Sequence, residues 1–217
     1  MDICKNKIAK RLKLKFLLFF YNHFKHISIK CGDDCEISHL KLASCGNGNS
    51  VILGDGVKLK DVTISVFGNQ NQLIIHSNNN ISKVRFVMED DGNKIEIGNH
   101  NFIGSDSLLA ALEGTTISIG SNCMIASPCE IRTSDSHSLL DSDGRRINYA
   151  KDIIIGDHIW IGMGCLILKG AYIPENCVVA AKSVVCSMKN VNKGSLLGGT
   201  PARILKENIN WNHKRIK

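Results

Sequence analysis

A strict six-residue repeat runs through residues 155–185 and limits the folds that this chain can adopt. Written in sixes, the stretch reads IGDHIW, IGMGCL, ILKGAY, IPENCV and VAAKSV, and an aliphatic residue opens each block. A helix presents one face every three or four residues and a strand every two, so neither explains a period of six. The fifth place is small in four blocks and is Ile159 in the remaining one; the small residues are Cys165, Ala171, Cys177 and Ser183. Hexapeptide periods of this kind are typical of a parallel β-helix, in which each block forms one short side of a coil.

Three short motifs connect this repeat with a known family. They are Ser134-Asp135-Ser136-His137 before the repeat, the DHIWIG sequence at residues 157–162, and the GGTPAR sequence at residues 198–203. Together with the hexads, they resemble the left-handed β-helix acyltransferases, in the branch that O-acetylates sugars and bacterial surface polysaccharides. The resemblance implies triangular coils, a homotrimer with active sites between its subunits, and acetyl-CoA as the co-substrate.

The predicted fold class is all-β, a left-handed parallel β-helix with short extensions at both ends. Residues 1–26 are predicted to form a basic amphipathic N-terminal helix, residues 27–200 the β-helix with a protruding loop at 137–152, and residues 201–217 a C-terminal tail. The repeat is ragged between residues 27 and 96, where short aliphatic segments alternate with runs rich in Gly and Asn. These residues tolerate left-handed backbone conformations, so we expect coil corners there. A small insertion is expected near residues 112–114.

Residues 1–26 carry most of the positive charge of the chain. Seven Lys and Arg residues against one Asp give +6 of the total +7. The apolar run at residues 16–21 is shorter than the about 20 residues that span a bilayer, and no signal-peptide cleavage site follows it. This segment could cap the open end of the solenoid or pack in a trimer. The alternative is peripheral contact with an anionic inner-membrane surface. Because basic charge is confined to this segment and the short tail, we expect no nucleic-acid binding.

The nine cysteines are not arranged as a disulfide framework. Four of them occupy the small fifth position of a hexad, namely Cys123, Cys129, Cys165 and Cys177, and no CxxC pair occurs. A thiol there acts as a compact apolar side chain. The sequence therefore predicts reduced, structural thiols, a cytoplasmic protein and no bound metal, with metal binding by the cysteines as the alternative.

The interruption that begins at His137 is where catalysis is expected, because loops on rigid scaffolds tend to carry function. Acetyl transfer to a hydroxyl needs a base, stabilisation of the oxyanion and close approach of the two substrates. His accepts a proton at neutral pH, since its ordinary pKa is about 6.5. His137 matches the catalytic His of the family, which implies a general base. Asp135 is predicted to orient the imidazole, with a purely structural role at its hexad position as the alternative.

The resemblance also implies the coenzyme contacts. Trp160 is predicted to pack on pantetheine or to position the acceptor sugar. The other predicted coenzyme residues are Gly162, Ala180, Ala181 and Lys182 along the coils, and Pro201 and Arg203 toward the adenine-phosphate end. Lys182 and the Cys186-Ser187 pair depart from the family pattern, which leaves the detailed contacts open.

The loop supplies the candidates for binding the acceptor, namely Arg146, Asn148 and Tyr149, with Arg145 beside them. Two adjacent arginines would suit an acidic sugar such as sialic acid, and solvated loop charges are the alternative. Leu108 stands where galactoside and maltose acetyltransferases present an acceptor-binding Asn. Its presence argues against a simple galactoside.

The predicted function is acetyl-CoA-dependent O-acetylation of a bacterial surface glycan, either capsule, lipopolysaccharide or sialic-acid type, with His137 as general base. One alternative is N-acetylation of an amino sugar, a nucleotide sugar or a xenobiotic. Another is a non-catalytic β-solenoid scaffold. A zinc lyase of the γ-carbonic-anhydrase class needs three His ligands, and the chain lacks the required His-x4-His spacing at His76, His100, His137 and His158.

Overall fold

The structure is a computed structural model that describes residues 27–216, which form a three-sided left-handed parallel β-helix of about 8 turns. The predicted fold class is therefore confirmed. The predicted N-terminal helix at residues 1–26, and its expected membrane contact, lie outside the described residues. Within residues 27–216, no helix has the length and apolar character needed to span a lipid bilayer.

The strands stack into three flat faces, named A, B and C in the order in which the chain visits them. Face A contains β1 (Ile27–Cys31), β4 (Asn49–Leu53), β7 (Gln72–Ile75), β10 (Lys94–Ile97), β13 (Thr116–Ile119), β16 (Ile153–Ile155) and β19 (Tyr172–Ile173). Face B contains β2 (Glu36–Ser38), β5 (Lys58–Lys60), β8 (Asn80–Ser82), β11 (Phe102–Ile103), β14 (Met124–Ile125), β17 (Trp160–Ile161), β20 (Val178–Val179), β22 (Leu196–Gly199) and β23 (Ala202–Lys206). Face C contains β3 (Lys41–Cys45), β6 (Thr63–Phe67), β9 (Arg85–Glu89), β12 (Leu108–Leu112), β15 (Glu130–Arg132), β18 (Leu166–Leu168) and β21 (Val184–Val185). Neighbouring strands are parallel except β22, at the end of the predicted β-helix, and β23, in the predicted tail, which form an antiparallel pair.

The coils have two lengths. Before the loop, residues that stack on each other, such as Asn49 and Asn71, are 22 apart in sequence, whereas after it they are 18 apart, as for His158 and Asn176. Residues 27–96, where the six-residue period is irregular, therefore form a regular β-helix with longer coils. The four long coils carry five-residue strands on face C, and the expected insertion near residues 112–114 is the corner that follows the last of them.

The interior is built from columns of aliphatic side chains in register. One column on face A runs through Ile75, Ile97, Ile119, Ile155 and Ile173, each at most 2% exposed. Burying each such side chain stabilises the fold by about 1.5–3 kcal/mol. Cys123, Cys129, Cys165 and Cys177 are all buried in the core, as expected for the small fifth position of a hexad, and their reduced state remains a prediction. The Cys123 thiol, for example, donates to the carbonyl oxygen of Gly156 in the next coil at 3.2 Å.

A ladder of buried asparagines lines the corner between faces C and A and ends below the loop. The Asn71 N–H donates to Asn49 Oδ1 at 2.9 Å, and the Asn93 N–H donates to Asn71 Oδ1 at 2.8 Å. Asn93 Oδ1 then accepts from the Thr115 N–H, and the Thr115 hydroxyl donates to Thr133 Oγ1 at 2.6 Å. The Asn-rich runs are thus coil corners, as predicted. The last contact of the ladder, between Thr115 and Thr133, holds the coil where the loop begins.

Candidate functional site

The protruding loop leaves the corner between faces C and A, between β15 and β16. Its base is closed by the Lys151 N–H, which donates to the Thr133 carbonyl oxygen at 3.0 Å. Further out, Leu140 and Arg146 form an antiparallel bridge. The tip is a turn in which Asp141 Oδ1 accepts from the backbone N–H of Arg145 at 2.8 Å. The loop therefore has its own hydrogen-bonded structure and can present side chains in fixed positions.

His137 lies at the root of this loop and is exposed. Its backbone carbonyl oxygen accepts from Asn148 Nδ2 at 2.8 Å, which fixes the main chain. Its imidazole has no hydrogen-bond partner within residues 27–216, so both ring nitrogens are available to a ligand. The main chain of His137 is fixed while its imidazole is accessible, which suits a residue that must accept a proton from a bound substrate.

Asn148 joins the two arms of the loop root. It is 8% exposed, and its Nδ2 also donates to Asp135 Oδ2 at 2.7 Å. Its Oδ1 accepts from the Leu139 N–H at 2.7 Å and from Arg146 Nε at 3.3 Å. Sequence reasoning assigned Asn148 to acceptor binding, but in the structure its amide is engaged on both sides by the loop itself. Its observed contacts order the segment that carries His137.

Asp135 is paired with a residue that the sequence did not single out. Its Oδ2 accepts from Lys169 Nζ at 2.5 Å, and this hydrogen bond is the largest cause that lowers the pKa of the Asp135 carboxyl below its usual value. Lys169 Nζ also donates to the Asn148 carbonyl oxygen at 2.9 Å. Asp135 and the His137 imidazole share no hydrogen bond, so Asp135 contacts His137 only through Asn148. The orienting role of Asp135 remains a prediction, and these contacts favour the structural alternative.

Arg146 is committed to an ion pair with Glu113 on the neighbouring coil corner. Its two terminal nitrogens donate to the two Glu113 oxygens at 2.6 and 2.8 Å. Its guanidinium also lies over the Tyr149 ring, with the carbon 5.3 Å from the centroid. Arg145 pairs with Asp143 at 3.1 Å and is largely exposed. Of the acceptor residues predicted in the loop, Tyr149 therefore has the most open side chain, 60% exposed.

The predicted coenzyme residues lie together on face B and at the corner between faces B and C. Trp160 is 39% exposed and stands in register between Met124 and Val178. Gly162 follows at the corner, where an added Cβ would lie 2.6 Å from the backbone nitrogen of Ala181 in the next coil. The remaining predicted coenzyme residues lie at the next turns of the same corner or just beyond it; they are Ala180, Ala181, Lys182, Pro201 and Arg203. The structure thus gathers this set into adjacent coils.

The loop and the predicted coenzyme residues stand at different corners of the triangle. His137 lies at the corner between faces C and A, whereas Gly162 lies at the corner between faces B and C. One side of the coil, six residues long, separates them. At about 3.3 Å per residue this is roughly 20 Å. A single chain therefore does not bring the His137 ring against the Gly162 corner.

Comparisons with known proteins agree with this architecture. No family model matches the chain. A polysialic acid O-acetyltransferase from Escherichia coli O1:K1 / APEC is 38% identical over 90 residues, which are 41% of this chain and 29% of that protein. A protein of the same name from Neisseria meningitidis is 38% identical over 93 residues, which are 42% of this chain and 43% of that protein. The matched region thus spans less than half the length of these curated relatives.

A solved structure extends the similarity to most of the chain. The crystal structure of the polySia specific acetyltransferase NeuO has a TM-score of 0.75 to this chain and is 29% identical, covering 87% of this chain and 79% of that chain. The chain belongs to the hexapeptide-repeat acyltransferase family. The resemblance inferred from its motifs is confirmed.

The structure has an aromatic cluster that sequence reasoning missed. Trp211, in the predicted tail, stacks on His158 with ring centroids 4.5 Å apart and an angle of 10° between the planes. Trp160 and His213 complete the cluster around Trp211. Isolated aromatic residues in a short polar tail give no periodic signal, and a local sequence pattern could not have paired Trp211 with a corner 53 residues earlier.

Two of the four histidines considered as metal ligands, His76 and His158, have side-chain partners on neighbouring coils. His76 Nε2 lies 3.1 Å from Glu96 Oε1, and His158 Nδ1 lies 2.9 Å from Asn176 Oδ1. Over residues 27–216, no three His, Cys, Asp or Glu side chains converge as metal ligands would.

Proposed function

We propose that the protein transfers an acetyl group from acetyl-CoA to a hydroxyl of a bacterial surface glycan. The observation that carries this proposal is the open imidazole of His137, held by its backbone at the root of an ordered loop. The relatives named as polysialic acid O-acetyltransferases support the same class of reaction. They also support a sialic-acid-type capsule glycan as the acceptor.

In the proposed reaction, His137 acts as general base. A ring nitrogen takes the proton of the acceptor hydroxyl while the hydroxyl oxygen attacks the thioester carbonyl carbon. The tetrahedral intermediate then expels the coenzyme thiolate, which receives the proton from the imidazolium. Backbone N–H groups are the expected oxyanion donors. The Asn148 contact keeps the His137 main chain fixed through these steps, and such positioning is itself a large part of catalysis.

The coenzyme is proposed to lie along the corner between faces B and C. The family motif at Gly162 supports this placement, and the missing side chain there also lets adjacent coils stack closely. Ala180 and Ala181 continue that corner, and Lys182, Pro201 and Arg203 border it with exposed groups. Trp160 offers a partly exposed ring beside the same corner for pantetheine or for the acceptor sugar.

A homotrimer with sites between subunits is proposed because His137 and the Gly162 corner are one side of the coil apart. The loop also exposes apolar side chains that suit contact with another copy: Leu139, Leu140 and Ile147 are 61%, 59% and 61% exposed. A mixture of His137→Ala and Gly162→Val chains tests this arrangement. Co-expressed chains are expected to regain activity that each variant lacks alone, and a mixture without activity would contradict shared sites.

Acidic-sugar recognition by Arg146 is not part of the proposal, because its guanidinium is paired with Glu113. Tyr149 and Trp160 offer partly exposed rings, which pack well against the apolar faces of sugars. The reduced thiols predicted from the sequence support a cytoplasmic site of action, where the acetyl-CoA pool is available.

The test is release of free thiol from acetyl-CoA with wild type and His137→Ala over a panel of acidic, neutral and amino sugars. We expect turnover on the acidic glycans and a drop of at least about 100-fold in the variant. His76→Ala, remote from the loop, is the matched control and is expected to keep wild-type activity. Undiminished activity of His137→Ala would exclude this residue as the base. Turnover confined to amino sugars would instead support N-acetylation.

A further inference from the structure

The C-terminal segment, residues 207–216, is anchored by Trp211 against the corner between faces A and B. Trp211 is 8% exposed, and its Nε1–H donates to the His158 carbonyl oxygen at 2.8 Å. Its ring stacks on the His158 imidazole at 4.5 Å, and that imidazole is fixed in turn by Asn176 at 2.9 Å. A parallel stack and a directed hydrogen bond together allow the indole a single orientation.

The same indole packs beside Trp160. The two ring centroids are 6.0 Å apart with 42° between the planes, within the range of about 4.5–7 Å in which aromatic pairs attract each other. Trp160 is 39% exposed, so one part of its ring meets the fixed Trp211 indole while another part stays open. His213 contacts Trp211 edge-on at 4.5 Å and closes the cluster on its outer side.

We propose that Trp211 is a positioning residue for Trp160, so that the C-terminal segment forms one wall of the site. This inference rests on the proposed function, in which the open part of the Trp160 ring contacts the coenzyme or the acceptor. Without Trp211, the Trp160 side chain gains rotational freedom that a ligand must remove on binding. Such a loss weakens binding but leaves the chemical step at His137 unchanged.

Fluorescence tests the positioning directly. The chain has two tryptophans, Trp160 and Trp211, so Trp211→Phe and Trp211→Ala each leave Trp160 as the single indole. In the Phe variant, which keeps an aromatic neighbour, we expect high anisotropy of Trp160 and weak quenching by acrylamide. In the Ala variant, we expect a fast anisotropy decay and a quenching constant raised at least about twofold, because the ring loses its packing partner. Identical behaviour in the two variants would overturn the proposal.

Kinetics test its consequence for the reaction. Trp211→Ala is expected to raise the KM of the substrate that contacts Trp160 about tenfold while kcat changes less than about threefold. Trp211→Phe is expected to restore most of the loss, and Ile216→Ala, at a residue 80% exposed in the same segment, serves as the control. Unchanged KM values for both substrates in Trp211→Ala would overturn the role in the site. If wild type turns over no acceptor, the proposed function fails, and the fluorescence comparison still decides whether Trp211 positions Trp160.

Discussion

The carboxylate of Glu113 and the guanidinium of Arg146 form a two-bond ion pair that fastens the protruding loop to the neighbouring coil. The hydroxyl of Ser134 donates to the same carboxylate at 2.5 Å. Arg146 is the largest cause that lowers the pKa of Glu113 to about 2. The loop that carries His137 is therefore held at a second point besides its root.

Replacing Glu113 by Gln is expected to loosen the loop in a pH-dependent way. Because the folded chain lowers this pKa, the pair contributes fully above the ordinary value of 4.5 and loses its contribution as the pH falls toward 2. At pH 7 the carboxylate is charged, so the loss is largest there, although solvent screening reduces it because the pair is partly exposed. Hydrogen exchange of the loop amides in wild type and variant measures it. Arg145→Gln, at an exposed pair, is the control, and a difference independent of pH would contradict the assignment.

Replacing Asn148 by Ala is expected to lower kcat about 10- to 100-fold with a smaller change in KM, because the His137 main chain loses its donor. The Leu139 N–H also loses its acceptor, which is expected to lower stability slightly because this exposed segment is open to water. Steady-state kinetics and thermal unfolding separate the two effects. Asn212→Ala, at an exposed position in the C-terminal segment, is the comparison. A variant that unfolds earlier and yet turns over at the wild-type rate would show that Asn148 supports the loop without supporting catalysis.

Replacing Asp135 by Asn distinguishes its two assigned roles. Because Asp135 is paired with Lys169 and not with the His137 ring, we expect kcat to fall no more than about tenfold. A carboxylate that orients the catalytic imidazole directly would give a loss of about 10⁴. Lys169→Met should reproduce the small effect, and the double variant should be no worse than either single one. A loss of three or more orders of magnitude in Asp135→Asn alone would restore the direct role.

Replacing Asn93 by Ala is expected to destabilise the long coils. Asn93 is fully buried; its amide donates to the Glu89 carbonyl oxygen and accepts from the backbone N–H groups of Gly114 and Thr115. Leaving these buried groups without partners is expected to cost about 3 kcal/mol or more. Equilibrium unfolding measures the loss, with the exposed corner substitution Asn99→Ala as a milder comparison. Equal stability of the two variants would contradict the ladder's role.

The sequence was sufficient for the fold class because the aliphatic columns repeat every six residues in the short coils. The same columns exist in the long coils, but there the five-residue strands on face C and the buried asparagines, such as Asn71, break the period of six. The true spacing of 22 residues becomes visible only when strands are paired in space.

The site was predictable only in part. His137 and Gly162 were singled out by their resemblance to family motifs, and their roles remain predictions. The partners that organise the loop, Glu113 and Lys169, lie 33 and 34 residues from the atoms that they bind. No local sequence pattern predicts such pairs. They form because the length of each coil determines which corners lie next to each other in space.

The two coil lengths also define the steps in which such a chain can grow or shrink. Excising residues 50–71 would join Asn49 to Gln72, which stacks on Ser50 and would take its place. Every later strand would stay on its own face. The loop with His137 would keep its structure and lie one coil closer to the N-terminal end of the β-helix. Removing 18 residues from the same part would instead move corner residues into strands. Whole coils are therefore exchangeable units in front of the loop, so the height of the solenoid can change without redesign of the site.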